Sequence, residues 1–151
     1  MSNKLYQRVL LDHNKNPRHF GKLDAPTHHA HGVNTLCGDD YHIHLVVTDG
    51  MVTDVGFYGE GCAISKSAAS LMAMHIKGTS LDAVIRLKDA FIQLLTTDAP
   101  PPESELGHLM IFQNVKSFPM RVKCATLIWR ALEAALQQSP TPVSTEDATH
   151  S

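Results

Sequence analysis

Between Tyr41 and Phe57 the chain alternates with a period of two around Asp49-Gly50, and this stretch constrains the fold more than any other. Tyr41, Ile43, Leu45 and Val47 fall on one side of an extended strand, with His42, His44, Val46 and Thr48 on the other. Asp-Gly supplies the positive φ angles that a two-residue hairpin turn requires. The return strand then continues with Thr53, Val55 and Phe57 on one face. A hairpin with one apolar face must be covered, and what flanks this one is helical.

Upstream, Leu5, Tyr6, Val9, Leu10 and His13 recur at helical spacing until Asn16-Pro17, where the proline restricts the residue before it. Residues 16–34 hold Pro, Gly and several His and read as an extended or irregular segment. Downstream, Ala68, Leu71, Met72, His75 and Ile76 form an apolar stripe that ends at Lys77-Gly78. Ser80 then caps a helix carrying Leu81, Val84, Ile85, Phe91, Ile92 and Leu95. Residues 97–105, with Pro100-Pro101-Pro102, read as a loop, and a short helical stretch covers 106–115. The last helix starts at Phe118-Pro119, where a proline in the first turn loses no hydrogen bond, and buries Ala125, Ile128, Trp129, Leu132 and Leu136. The expected fold is α+β: a small antiparallel sheet of about three strands with helices packed on one face. One domain spans 1–138, and the Ser-, Thr- and Pro-rich residues 139–151 are expected to be a mobile tail.

Bulk properties exclude several functions. At 151 residues the chain can bury a core without disulfide staples. A net charge of -2 gives no electrostatic basis for binding nucleic acid or a membrane surface. No apolar run is long enough to span a bilayer, and Lys4, Arg8, Asp12, Lys15 and Arg18 interrupt any apolar core of an export signal. Three cysteines is an odd number, unsuited to a secreted disulfide framework. A cytoplasmic location is therefore expected, where all three remain thiols.

Each cysteine sits where an element begins or ends. Cys37 lies in the loop Asn34-Thr35-Leu36-Cys37-Gly38-Asp39-Asp40, Cys62 closes Gly59-Glu60-Gly61-Cys62 ahead of a helix, and Cys124 lies near the start of the last helix. Such positions leave a thiol accessible and place it near the positive end of a helix dipole. The spacing alone does not demand a shared site, because a free cysteine is often a small core residue and no Cys-x-x-Cys is present. Gly38 would let Cys37 and Asp39 turn toward one centre, and Asp39 is preferred to Asp40 because alternation places Asp40 on the strand. Gly59 and Gly61 remove bulk from the approach to Cys62, although a plain strand-to-helix corner explains them equally well. Three thiolates and a carboxylate would suit zinc or iron. Arg121, one helical turn before Cys124, would offset the negative charge of such a site. The ten histidines, among them His28, His29, His31, His42 and His44, read mostly as solvated surface.

At these motifs the sequence resembles the NifU/IscU/SufU family of iron–sulfur cluster assembly proteins. The resemblance covers Leu5-Tyr6, Asp12-His13, Asn16-Pro17-Arg18, then Asn34 to Asp39, Gly59 to Ser65 and Phe118 to Ala125. Within the family it is closest to the SufU branch, because Lys123 stands where scaffold-type members carry a histidine before the last cysteine. The resemblance implies a zinc ion held by Cys37, Asp39, Cys62 and Cys124. It implies further that Cys37 accepts persulfide sulfur from a partner cysteine desulfurase, alongside other assembly proteins, with Arg121 important to that step. The alternative is a scaffold that builds a 2Fe–2S cluster on the same cysteines. A reading from another class is a thiol-nucleophile enzyme in which a histidine such as His42 activates Cys37.

Overall fold

The computed structural model describes residues 3–99, 103–138 and 142–145. Helix α1 (Asn3–Lys15) precedes three antiparallel strands, β1 (His28–Asn34), β2 (Asp39–Thr48) and β3 (Met51–Glu60). Helices α2 (Ala63–Ile76), α3 (Leu81–Thr96) and α4 (Glu103–Leu106) follow, then a 3-10 helix over Gly107–Val115, α5 (Pro119–Leu136) and the two-residue strand β4 (Val143–Ser144). The architecture is the expected α+β one. The sheet order is β3-β2-β1-β4, so the hairpin forms one side and β1 extends the other.

The hairpin turns at Asp49 and Gly50, both at positive φ, with Thr48 opposite Met51. Its return strand departs from strict alternation. Val46 pairs with Asp54 but Val47 pairs with Val52, leaving Thr53 as an extra residue. Val52 rather than Thr53 therefore joins Val55 and Phe57 in the core, while exposed Thr53 bonds the Val46 carbonyl through its hydroxyl.

Strand β1 lies within the segment read from sequence as irregular. Its inward positions are Ala30, Gly32 and Asn34, too small or too polar to register as an apolar alternation. Helix α5 dictates this. A Cβ at Gly32 would stand 3.1 Å from Leu127 Cδ1 and 3.3 Å from Ala131 Cβ. The small residues let the helix lie directly on the strand. Of the segment expected to be a mobile tail, residues 142–145 contribute β4, which pairs in parallel with Gly32 and Val33 of β1. An otherwise unpaired edge of β1 accounts for this pairing. The rest of 139–151 lies outside the described residues, as do the three prolines 100–102.

Helices α5 and α2 cover the inner face of the sheet, and α1 packs on α2. Tyr41, Ile43, Leu45 and Phe57 from the sheet are fully buried beneath them. Trp129 of α5 stacks on Phe91 of α3 at 4.9 Å. Helix α2 buries Ser65, Ser67, Ala68, Ala69 and Ser70 as well as its larger apolar side chains. Small residues on every side are what a helix enclosed by other elements requires. The predicted caps and starts are present: Ser80 Oγ accepts the Ala83 amide at 3.2 Å, and Pro119 occupies the first turn of α5. Among the described residues no helix is long and apolar enough to cross a membrane.

Candidate metal centre

The first motif is a hairpin. Residues 35–38 join β1 to β2 as a tight turn in which the Cys37 amide donates to the Asn34 carbonyl at 3.2 Å. Gly38 holds φ +73, so the chain reverses between Cys37 and Asp39. Asp39 opens β2 on its inner face and is 1% exposed. Asp40, next along the strand, faces the other way and is exposed.

The second motif is the corner from β3 to α2. Gly61 has no room for a side chain: a Cβ there would lie 2.5 Å from Ser65 Oγ, 2.6 Å from Asp39 Oδ1 and 2.8 Å from Tyr41 Oη. Cys62 follows as the N-cap of α2, its sulfur accepting the Ser65 amide at 3.4 Å. The third motif is the start of α5, which brings buried Cys124 down onto the other two.

The three motifs meet. One donor atom from each of Cys37, Asp39 and Cys124 lies within 4.8 Å of the other two. Cys124 is the hub, since its thiol also contacts Cys62. Asp39 Oδ1 accepts the Cys62 amide at 3.0 Å and the Ser65 hydroxyl at 2.9 Å. Its other oxygen, Oδ2, is buried without a hydrogen-bond partner. A buried carboxylate oxygen left bare beside the Cys37 and Cys124 thiols is what a metal-ligand oxygen looks like before the metal binds, because an unmet buried polar atom is otherwise costly. Cys62 lies outside this close group. The donor set of three sulfurs and one oxygen fits a tetrahedral zinc or iron ion.

The protons in this ring are unequally held. The Cys124 thiol donating to Cys62 lowers the Cys62 pKa to about 6, helped by the Ser65 amide and hydroxyl and opposed by burial. The same contact, with burial and the neighbouring Cys37 and Asp39, pushes Cys124 strongly upward. Cys62 is thus the more acidic thiol of the metal-free pair. Burial also lifts Tyr41 to about 12, so its hydroxyl stays neutral beside the ring.

Arg121 is placed differently from its expected position over the thiols. Its side chain is exposed, and the guanidinium rests on the Phe118 ring, 4.5 Å from the centroid. Helical spacing aligns the Cβ atoms of Arg121 and Cys124, but the long arginine side chain follows the neighbouring aromatic surface instead. No histidine joins the cysteine ring among the described residues, and His42 lies on the outer face of the sheet stacked against His31. A Cys37–His42 pair is therefore not formed.

Three supporting residues escape a reading from sequence alone. Asn34 is fully buried and directs its amide at Cys124 Sγ, 3.9 Å away. Ser65 bonds both Asp39 and Tyr41, and Tyr41 closes the floor. Asn34 and Ser65 do lie inside the cysteine motifs, which is the signal available from sequence; their orientation emerges only from the strand and the helix cap.

Comparison with known proteins agrees with this fold. The model of the NifU-like N terminal domain matches residues 5–125. The zinc-dependent sulfurtransferase SufU of Bacillus subtilis is 36% identical over 129 residues, covering 85% of this chain and 87% of that protein. The iron–sulfur cluster assembly scaffold protein IscU of Streptococcus pyogenes is 34% identical over 137 residues, covering 91% and 86%. A crystal structure from Fervidobacterium islandicum, described as a cluster assembly scaffold for the SUF system, matches with a TM-score of 0.83 and 30% identity, covering 90% of this chain and 99% of that one. With fold and overall sequence in agreement, the chain belongs to the NifU/IscU/SufU family of iron–sulfur cluster assembly proteins through its NifU-like N-terminal domain.

Proposed function

We propose that this chain is a zinc-containing sulfur-transfer protein of iron–sulfur cluster assembly, taking persulfide sulfur onto Cys37 from a cysteine desulfurase in the cytoplasm. Cys37, Asp39, Cys62 and Cys124 would hold the zinc, which when bound keeps its sulfur ligands deprotonated and therefore nucleophilic.

The observation that carries the reading is an asymmetry within the ring. Cys124 and Asp39 are buried, and Cys62 is pinned by the α2 cap through its own sulfur. Cys37 and Cys62 are both partly exposed, but Cys37 rides on a tight turn beside a positive-φ glycine whereas Cys62 is fixed in a helix cap. This makes Cys37 the donor best suited to leave the ring while the other three stay in place. In the transfer step the Cys37 thiolate attacks the outer sulfur of the donor persulfide. The S–S bond of the donor breaks, its cysteine departs as thiolate, and the sulfur arrives on Cys37 as a new persulfide. No net oxidant is consumed. Lys123 before Cys124, in place of the histidine of scaffold-type members, supports sulfur transfer over cluster building. The exposure of Arg121 on the Phe118 surface supports a role for it in meeting an incoming partner.

The test is desulfurase turnover with added protein, paired with element analysis of the same oxygen-free batch. Wild type should carry one zinc and stimulate turnover. Cys37→Ala should abolish the stimulation, and Arg121→Ala should reduce it without loss of zinc. Full stimulation by Cys37→Ala would overturn the acceptor assignment. A brown, iron-loaded wild type would favour the 2Fe–2S scaffold reading; the Streptococcus relative is named an iron–sulfur cluster assembly scaffold.

A further inference from the structure

The helices cover only the inner face of the sheet. On the outer face the register sets His31 of β1 opposite His42 of β2, and His29 opposite His44. His42 in turn faces Tyr58 of β3. The segment ahead of β1 crosses this face at Gly56, where a Cβ would collide with the Gly21 carbonyl at 2.5 Å. The Leu23 amide there donates to His44 Nδ1 at 3.2 Å, closing the His44 end. His31, Asp40 and His42 remain open to solvent beyond it, Asp40 with more than half of its side chain exposed.

These groups are organised rather than dispersed. The His31 and His42 rings stack at 4.1 Å with 3° between their planes, and His42 stacks on Tyr58 at 4.9 Å. His31 Nε2 lies 2.6 Å from Asp40 Oδ1, and His29 Nε2 lies 2.9 Å from His42 Nδ1. A hydrogen bond between two ring nitrogens needs one of them to accept, so at least one imidazole of the pair is neutral, the form that ligates a metal. One donor atom each from His31, Asp40 and His42 lies within 4.8 Å of the other two. Donors around a tetrahedral zinc stand roughly 3.4 Å apart. The three can reach one ion on fixed strands once the His31 and His42 rings turn out of their parallel stack.

We propose that this outer face is a second metal site, where His31, Asp40 and His42 ligate a divalent transition ion of the zinc and copper class, with His29 as the adjacent donor. Imidazole and carboxylate are the donors such ions favour, whereas magnesium and calcium require more oxygens. Strand alternation separates the two centres: Asp39 turns inward to the thiols and Asp40 outward to the imidazoles. The site is independent of the sulfur-transfer reading.

Zinc titration of full-length protein, followed by equilibrium dialysis and by NMR of the imidazole resonances, tests it. Wild type should bind two equivalents, the second shifting the ring signals of His31 and His42. His31→Ala/His42→Ala should bind one equivalent and keep its stimulation of the desulfurase. Asp40→Asn, which keeps a polar partner for His31, should weaken the second event and spare the first. Because the imidazole signals report the outer face directly, failure of the cysteine ring to bind zinc would not mimic failure here. Unchanged imidazole signals in zinc-treated wild type, or a second equivalent retained by the double variant, would overturn the proposal.

Discussion

Asp39 Oδ1 accepts the backbone amide of Cys62 at 3.0 Å, tying the β1–β2 turn to the cap of α2 across 23 residues of sequence. The bond fixes one carboxylate oxygen and leaves the other, Oδ2, bare in the buried ring. Asp39 thus serves the fold with one atom and leaves the other for the proposed metal.

Asp39→Asn separates these two duties. The amide oxygen can keep the Cys62 and Ser65 bonds, while the uncompensated buried charge disappears. Metal-free Asp39→Asn should therefore melt at or above the temperature of metal-free wild type. Zinc should stabilise wild type strongly and the variant much less, as thermal unfolding with and without a chelator will register. A metal-free variant destabilised by more than about 2 kcal/mol would show that the charge itself supports the fold.

Gly61→Ala should damage the ring without replacing a donor. Its Cβ would collide with Ser65 Oγ, Asp39 Oδ1 and Tyr41 Oη, two of them parts of the Asp39 network. Overpacking of this kind costs about 1–3 kcal/mol. Denaturant unfolding should record that loss together with weaker zinc retention against a chelator. Native-like zinc retention would show that the ring tolerates a shifted Asp39.

Acid should weaken the fold through buried histidine. His13 is 5% exposed and its Nδ1 lies 2.7 Å from Ser70 Oγ, which also accepts the Arg18 amide. Burial, with the nearby Arg18 cation, holds the His13 pKa below its ordinary value of 6.5, against an opposing pull from Asp12. The unfolded chain then binds more protons than the folded one, so stability rises with pH. This contribution is fully present above about pH 6.5 and is lost as pH falls from there through the lower folded value. His13→Gln should flatten that part of the acid limb in denaturant titrations between about pH 5 and 7. An unchanged slope would assign acid sensitivity to other groups.

The β2–β3 hairpin was legible from sequence because its alternation and its Asp-Gly turn speak together. The bulge at Thr53 was not, since one extra residue shifts the inward set from Thr53 to Val52 without altering composition. Strand β1 was hidden for a tertiary reason: Ala30 and Gly32 are sized for the approach of α5, which no local pattern announces. At the candidate metal centre the cysteines and Asp39 stood out as motifs. Arg121 depended on the course of a long side chain, and the contacts of Asn34 and Ser65 depended on strand orientation and a helix cap. The histidines of the outer face looked like solvated surface until the β1–β2 register set His31 against His42.

The central claim, that Cys37 receives the sulfur, is tested most directly by peptide mass spectrometry after brief incubation with a cysteine desulfurase and cysteine. The account predicts one added sulfur atom on the peptide containing Cys37, with Cys62 and Cys124 unmodified and zinc retained. Added sulfur on Cys62 or Cys124 in wild type, with Cys37 untouched, would contradict it.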